Sequence, residues 1–123
     1  MTKFLLLLRS SIEKDYSQLT PDDMQRIIQG YEKWAGSLAA ENRLLAGQKL
    51  TDEGGCVLQP GAGSVSKKDG PYIETKEVVG GYYVIEADDQ EHAVRLCEGH
   101  PNFEFGSIEI RQIDFMGGPE ELA

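Results

Sequence analysis

The segment Glu74-Thr75-Lys76-Glu77 places two types of charged side chain close together in the middle of the chain. If the segment is extended, Glu74 and Lys76 share one face, with Glu77 on the other. A carboxylate beside an ammonium can position a polar ligand, and a sheltered carboxylate can act as a general base. The same spacing also fits a solvated ion pair at a sheet edge, worth under about 1 kcal/mol. Both interpretations remain open at this point.

Arginine and histidine side chains near the end of the chain are the next candidates. The guanidinium of Arg111 can bind a carboxylate with two parallel hydrogen bonds, or it can pair with Glu109. His100 lies outside the predicted helices, and we expect it near the rim of the sheet. It is therefore a second general-base candidate beside Glu74. His92 falls within a predicted helix, where we expect it to be exposed.

Charge and composition restrict the partners and cofactors. The 123 residues include 12 Lys and Arg against 21 Asp and Glu, a formal net charge of −9. Such a surface repels phosphate backbones and anionic lipid, so we expect neither nucleic acid nor membrane as a partner. Two scattered histidines and two unpaired cysteines, Cys56 and Cys97, predict no metal site and a reducing, cytoplasmic location. No dinucleotide-binding or phosphate-binding motif occurs, so we expect no cofactor.

The first half of the chain predicts a strand followed by a helix. The apolar run at residues 4–8 is too short for a signal peptide or a membrane span, and it predicts a buried first strand. Thr20-Pro21 is typical of a helix start, and Asn42 of a helix end. Between them, apolar residues recur at spacings of three and four: Met24, Ile27, Ile28, Tyr31, Trp34, Ala35 and Leu38. We assign Tyr31 and Trp34 to the core first and to a pocket lining second.

The second half predicts short strands, one long strand, a helix and a last strand. Residues 56–58 and 64–66 are short strands, Lys68-Asp69-Gly70-Pro71 is a turn, and residues 82–87 form the clearest strand. Asp88 caps a second helix that ends before Pro101, and residues 107–111 alternate as a last strand. The element order predicts an α+β fold, a ferredoxin-like sandwich with two helices on one face of a mostly antiparallel sheet.

The predicted strands also indicate how the chain assembles. Residues 4–8 and 82–85 are apolar at consecutive positions, so both faces of these strands require burial. Two helices cover only one face. We therefore expect a second copy of the chain to cover the other, giving a homodimer. The domain spans residues 1–113, and residues 114–123 form a loosely held tail.

One motif is similar to a known family. The segment Asp69-Gly70-Pro71-Tyr72-Ile73-Glu74-Thr75-Lys76-Glu77, followed by Gly80-Gly81-Tyr82-Tyr83, resembles the YCII-related proteins, in the branch named for a DGPF motif. Tyr72 stands where that motif has Phe. The last strand, residues 106–111, resembles the family's closing strand with its Glu-x-Arg ending. The resemblance implies a dimeric α+β-barrel with a clefted site between the sheet and the motif loop.

The implied cleft and the charged side chains discussed above together define a candidate ligand site. The candidate ligand-binding residues are Asp69, Tyr72, Glu74, Lys76, Glu77 and Arg111. A better-studied branch has a proposed His–Asp pair associated with the first helix, but residues 21–41 here contain no histidine. We expect a cleft for a small polar, anionic organic molecule, with no named reaction. The alternatives are a cofactor-free lyase or isomerase, and a non-catalytic regulatory module associated with sigma-factor-like regulators.

Overall fold

The computed structural model describes residues 2–11, 19–51, 55–69 and 77–114. Within these ranges the chain forms six strands, two α-helices and one short 3₁₀ turn. In chain order they are β1 (Thr2–Ser11), α1 (Pro21–Ala40), β2 (Leu44–Lys49), β3 (Cys56–Gly61), β4 (Ser64–Asp69), β5 (Glu77–Ala87), α2 (Gln90–Cys97), the 3₁₀ turn (Pro101–Glu104) and β6 (Gly106–Gln112).

The main sheet has four antiparallel strands in the order β2-β5-β1-β6. With α1 after β1 and α2 after β5, this is the ferredoxin-like order, and the predicted fold class is confirmed. The hairpin β3–β4 is inserted between β2 and β5 as a separate two-stranded sheet. Neither helix within the described ranges has the combination of length and apolar content that a membrane crossing needs.

The first helix begins and ends where its sequence predicts. Thr20 Oγ1 accepts a hydrogen bond from the Asp23 N–H, and the Thr20 N–H donates to the Asp23 carboxylate, both at 3.0 Å. This reciprocal pair satisfies two of the N–H groups that a helix start leaves without partners. The backbone hydrogen bond from Thr20 also lowers the pKa of Asp23. At the other end, Asn42 has φ of 60°, a left-handed conformation that asparagine tolerates.

The core lies between the helices and one face of the sheet. Its buried members come from both layers: Phe4, Leu6, Trp34, Leu38, Ile85, Ala87, Ala93 and Cys97. The indole Nε1–H of Trp34 donates to the Leu96 carbonyl at 2.8 Å, which ties α1 to α2. Because Leu6 pairs with Tyr83, alternation along β1 and β5 places Tyr83 on this helix-covered face.

The opposite face of the sheet is not covered by either helix. The register places Leu5 and Leu7 of β1 beside Val84 and Tyr82 of β5, all of them half-buried. The predicted strands with two apolar faces are therefore present, and the helices cover one of these faces.

Three local predictions require correction. The N-cap of α2 is Asp89 rather than Asp88, and its carboxylate accepts from the His92 N–H at 2.7 Å. His92 is not exposed as expected: its ring accepts a hydrogen bond from the Asp88 N–H at 3.0 Å, and its side chain is only 16% exposed. Lys68 and Asp69 belong to β4 instead of a turn.

The cysteines differ in environment. Cys56 is exposed on β3, whereas Cys97 is buried in the core, and burial raises the pKa of its thiol to about 11. Such a thiol remains protonated at neutral pH and acts as a small apolar side chain.

Candidate aromatic ligand site

A buried histidine lies at the centre of an aromatic cluster between α1 and β5. His100 is 2% exposed, and three rings surround it. The ring centroids of Trp34, Tyr31 and Tyr83 lie 4.7, 4.9 and 5.6 Å from its own. We call Tyr31, Trp34, Tyr83 and His100 the aromatic cluster. We expected His100 near the rim of the sheet, and the structure instead buries it against the helix-covered face.

The turn that carries the histidine is held in place from three sides. A Cβ added at Gly30 of α1 would lie 2.7 Å from Pro101 Cγ, so the missing side chain lets the helix approach the turn closely. Asn102 is buried, and its Nδ2 donates to the Arg9 carbonyl at 3.2 Å and to the Ser107 carbonyl at 2.8 Å. These bonds attach the turn to β1 and β6, which positions the preceding imidazole.

The Tyr83 ring occupies space that a glycine leaves on the neighbouring strand. Gly47 of β2 pairs with Tyr83, and a Cβ at Gly47 would lie 2.7 Å from Tyr83 Cδ1. The ring also contacts Trp34, with a centroid distance of 4.8 Å. Tyr83 is half-buried, and this burial, with a smaller contribution from Tyr31, raises the pKa of its phenol. The hydroxyl therefore remains protonated at neutral pH.

The hydrogen bonds of His100 identify which ring nitrogen carries the proton. Its Nδ1 accepts from the backbone N–H of Asn102 at 2.9 Å. A neutral imidazole has one donor and one acceptor nitrogen, so we assign the proton to Nε2. Nε2 lies 3.4 Å from Tyr83 Oη, so in this tautomer the histidine is the donor of that contact. Burial lowers the pKa of His100 to about 4, which keeps this neutral form at pH 7. The arrangement favours hydrogen-bond donation over the general-base role considered above.

The motif residues lie largely outside the described ranges. Tyr72, Glu74 and Lys76 fall there entirely. Asp69 and Glu77 are described only as backbone, Asp69 as the last residue of β4 and Glu77 as the first residue of β5. Their ligand-binding roles therefore stay predictions.

Arg111 lies on the face of the sheet opposite the aromatic cluster. Its register partner on β1 is Leu5, which belongs to the uncovered face. Its side chain is 68% exposed and lies 3.5 Å from Glu109, whose other carboxylate oxygen accepts from Arg9 at 2.8 Å. Arg111 thus pairs with Glu109, one of the two interpretations that the sequence left open. Because the Arg111 side chain is exposed, this ion pair is weak. Arg111 and the cluster do not line one site within one subunit.

Sequence reasoning proposed Tyr31 and Trp34 as secondary pocket residues and His100 as a candidate, but it missed Tyr83 and Asn102. The triplet His100-Pro101-Asn102 carries a usable signal. A side-chain acceptor two residues before a backbone N–H, with Pro between them, is a typical capping arrangement. Tyr83 carries no such signal, because its contact with Trp34 and His100 depends on packing. Among the described residues, no three His, Cys, Asp or Glu side chains form a group that could hold a metal ion.

Comparisons with known proteins identify the family. No curated protein matches the chain. A solved structure that resembles it is 5-chloro-2-hydroxyhydroquinone dehydrochlorinase from Burkholderia phenoliruptrix AC1100, in complex with 2,5-dihydroxybenzoquinone. The likeness covers 91% of this chain and 93% of that one, at 16% identity and a TM-score of 0.45. Residues 4–116 match the YCII-related domain. Since this match spans nearly all of the 123 residues, the chain belongs to the YCII-related domain family.

Proposed function

We propose that this protein is a small-molecule-binding domain whose site lies at the aromatic cluster, on the helix-covered face of the sheet. The observation that carries the proposal is the hydroxyl of Tyr83, a half-buried residue. Among the described residues, its one hydrogen-bond contact is with Nε2 of His100 at 3.4 Å, which is longer than an ordinary hydrogen bond. A polar group in an apolar setting normally has a full set of partners, and a ligand can supply the missing one.

Apolar surface beside the cluster suits the body of an organic ligand. Met24 and Ile28 precede Tyr31 on the same side of α1 by helical spacing. They are 40% and 51% exposed, although their types favour burial. An apolar surface next to a few oriented polar groups is typical of small-molecule sites.

The aromatic cluster favours a ligand-binding role over that of a lyase or isomerase with a carboxylate as general base. None of its four side chains is a carboxylate, and its imidazole is oriented as a donor.

We also propose that the chain belongs to the DGPF-motif branch, because residues 69–77 reproduce the motif except at Tyr72. In that proposal the motif segment adds polar and charged contacts to the ligand.

Tyr83→Phe tests the location of the site. The substitution keeps the ring against Trp34 and Gly47 but removes the hydroxyl. We expect compounds from a library of small organic acids and phenols to raise the melting temperature of the wild type, and to raise that of Tyr83→Phe much less. Tyr82→Phe is the matched control, because it removes a hydroxyl from the opposite face of the same strand. Ligands that stabilise all three proteins equally would place the site elsewhere.

We further propose that a second copy of the chain covers the other sheet face, through Leu5, Leu7, Tyr82 and Val84. Val84→Asp would bury an unpaired charge in that interface. Light scattering is expected to give twice the 13.6 kDa chain mass for the wild type and a single chain mass for this variant. Val94→Asp changes a residue on α2 that is 47% exposed, and this variant is expected to remain a dimer. A wild type of single-chain mass at micromolar concentration would contradict the proposal.

A further inference from the structure

We infer that the aromatic cluster recognises an acceptor oxygen, a ketone carbonyl or an enolate or phenolate oxyanion, with the Tyr83 hydroxyl as the contact group and His100 as its positioning residue. This inference rests on the proposed function and adds the chemical class of the ligand. It depends on the direction in which the hydrogen bonds of the cluster run.

A backbone amide sets that direction. The Asn102 N–H can only donate, so Nδ1 of His100 must accept, and the proton of the neutral ring is on Nε2. Nε2–H in turn donates toward Tyr83 Oη. With that oxygen accepting from the histidine, the phenol proton is directed away from it. The chain of donors therefore ends in the Tyr83 O–H.

The donors lie in series, from the Asn102 N–H through the His100 ring to the Tyr83 O–H. Hydrogen bonds in series polarise one another, and more strongly where water is excluded. His100 and Asn102 are 2% and 6% exposed, so the first part of the chain is shielded from solvent. The Tyr83 ring lies next to Gly47, an exposed position without a side chain. Tyr83 is half-buried and is therefore the most exposed residue of this chain of donors.

The ligand class follows from the donor at this end. A carbonyl or oxyanion oxygen accepts the Tyr83 proton, and a charged acceptor gains the most from it. A ligand ammonium would instead compete with Nε2–H for the phenol oxygen. The exposed apolar side chains of Met24 and Ile28, which helical spacing places on the same side of α1 as Tyr31, favour a carbon body over a highly hydrated one. An apolar molecule with one such oxygen meets both conditions.

Two compounds of similar shape distinguish the contribution of the ligand's acceptor oxygen from that of its apolar ring. At pH 8, 4-nitrophenol presents a phenolate oxygen, whereas 4-nitroanisole presents the same ring with that oxygen methylated. Trp34 is the single tryptophan of the chain and contacts Tyr83 and His100, so its indole N–H resonance reports binding at the cluster. Titrations would be followed by this resonance in the wild type, Tyr83→Phe and Tyr82→Phe.

We expect 4-nitrophenolate to bind the wild type at least about tenfold more tightly than 4-nitroanisole, because a hydrogen bond to a charged acceptor is stronger than one to a neutral ether oxygen. Tyr83→Phe is expected to abolish this preference, and Tyr82→Phe to retain it. Equal binding of the two probes, or a preference that survives Tyr83→Phe, would overturn the inference and leave the proposed function standing. If neither probe moves the Trp34 resonance, the proposed site itself fails, and the inference with it.

Imidazole chemical shifts and one further variant test the role of His100 in positioning the Tyr83 hydroxyl. Nitrogen chemical shifts of the imidazole distinguish the two neutral forms, and we expect the proton on Nε2 at pH 7. In His100→Asn, the side-chain oxygen can still accept from the Asn102 N–H, but the donor toward Tyr83 is lost. We expect this variant to bind 4-nitroanisole as the wild type does, with a reduced preference for 4-nitrophenolate. A proton on Nδ1, or an unchanged preference, would refute the role of His100.

Discussion

Acidification from pH 7 to pH 4 is expected to lower the free energy of unfolding by about 3 kcal/mol through His100 alone. Burial lowers the pKa of this imidazole from 6.5 to about 4. Below pH 6.5 the His100 imidazole is therefore protonated in the unfolded chain, while in the folded chain it stays neutral until the pH approaches 4. Stability from this group is fully present above pH 6.5 and is lost as the pH falls through the interval down to about 4. The rings that face it, Tyr31, Trp34 and Tyr83, contribute no opposite charge to hold the protonated form.

Urea unfolding at a series of pH values measures this effect against a matched variant. His100→Asn retains the cap of the 3₁₀ turn and has no group that titrates in the interval. Carboxylates and His92 are common to both proteins, so the difference between the two stability curves isolates His100. That difference is expected to shrink steadily between pH 6.5 and 4. Parallel curves would show that the folded imidazole titrates as it does in the unfolded chain.

Gly106→Ala is expected to destabilise the fold by about 2–4 kcal/mol or more, the largest loss we predict for a single added methyl group. A Cβ at Gly106 would overlap the Arg9 carbonyl oxygen and lie 2.8 Å from the Arg9 carbonyl carbon and Ser10 Cα. These are backbone atoms of β1, the strand that pairs with β6, so no side-chain rotation relieves the overlap. β6 must move away from β1, which also disturbs the bonds from Asn102 to Arg9 and Ser107.

The matched control adds the same methyl group in open space. A Cβ at Gly36 of α1 would meet no atom from elsewhere in the described part of the chain within 4 Å, and Ala is the better helix former. Gly36→Ala is therefore expected to stabilise the protein by about 0.5–1 kcal/mol. Thermal or urea unfolding of both variants checks the pair. Gly106→Ala unfolding like the wild type would contradict the close approach of β6 to β1.

Local sequence determined most of the framework of this protein. Thr20-Pro21 and Asn42 are short-range signals, since capping and left-handed φ depend on neighbours within a few residues, and they predicted both ends of α1. The alternation and apolar runs in β1, β5 and β6 predicted the strands of the central sheet. Together with the element order, these patterns predicted the ferredoxin-like fold, and the resemblance of residues 69–83 to a known motif predicted the family.

Long-range packing decided the rest. β2 was missed because Leu44–Lys49 includes Gly47 and Gln48 and has no clear alternation; its backbone pairing with β5 makes it a strand. The sequence also could not show that Arg111 and His100 lie on opposite faces, because that depends on strand register and on where the turn after α2 docks. The aromatic cluster joins residues from α1, β5 and that turn. Its hydrogen-bond direction and the lowered pKa of His100 arise from burial, a property that only the assembled tertiary structure confers.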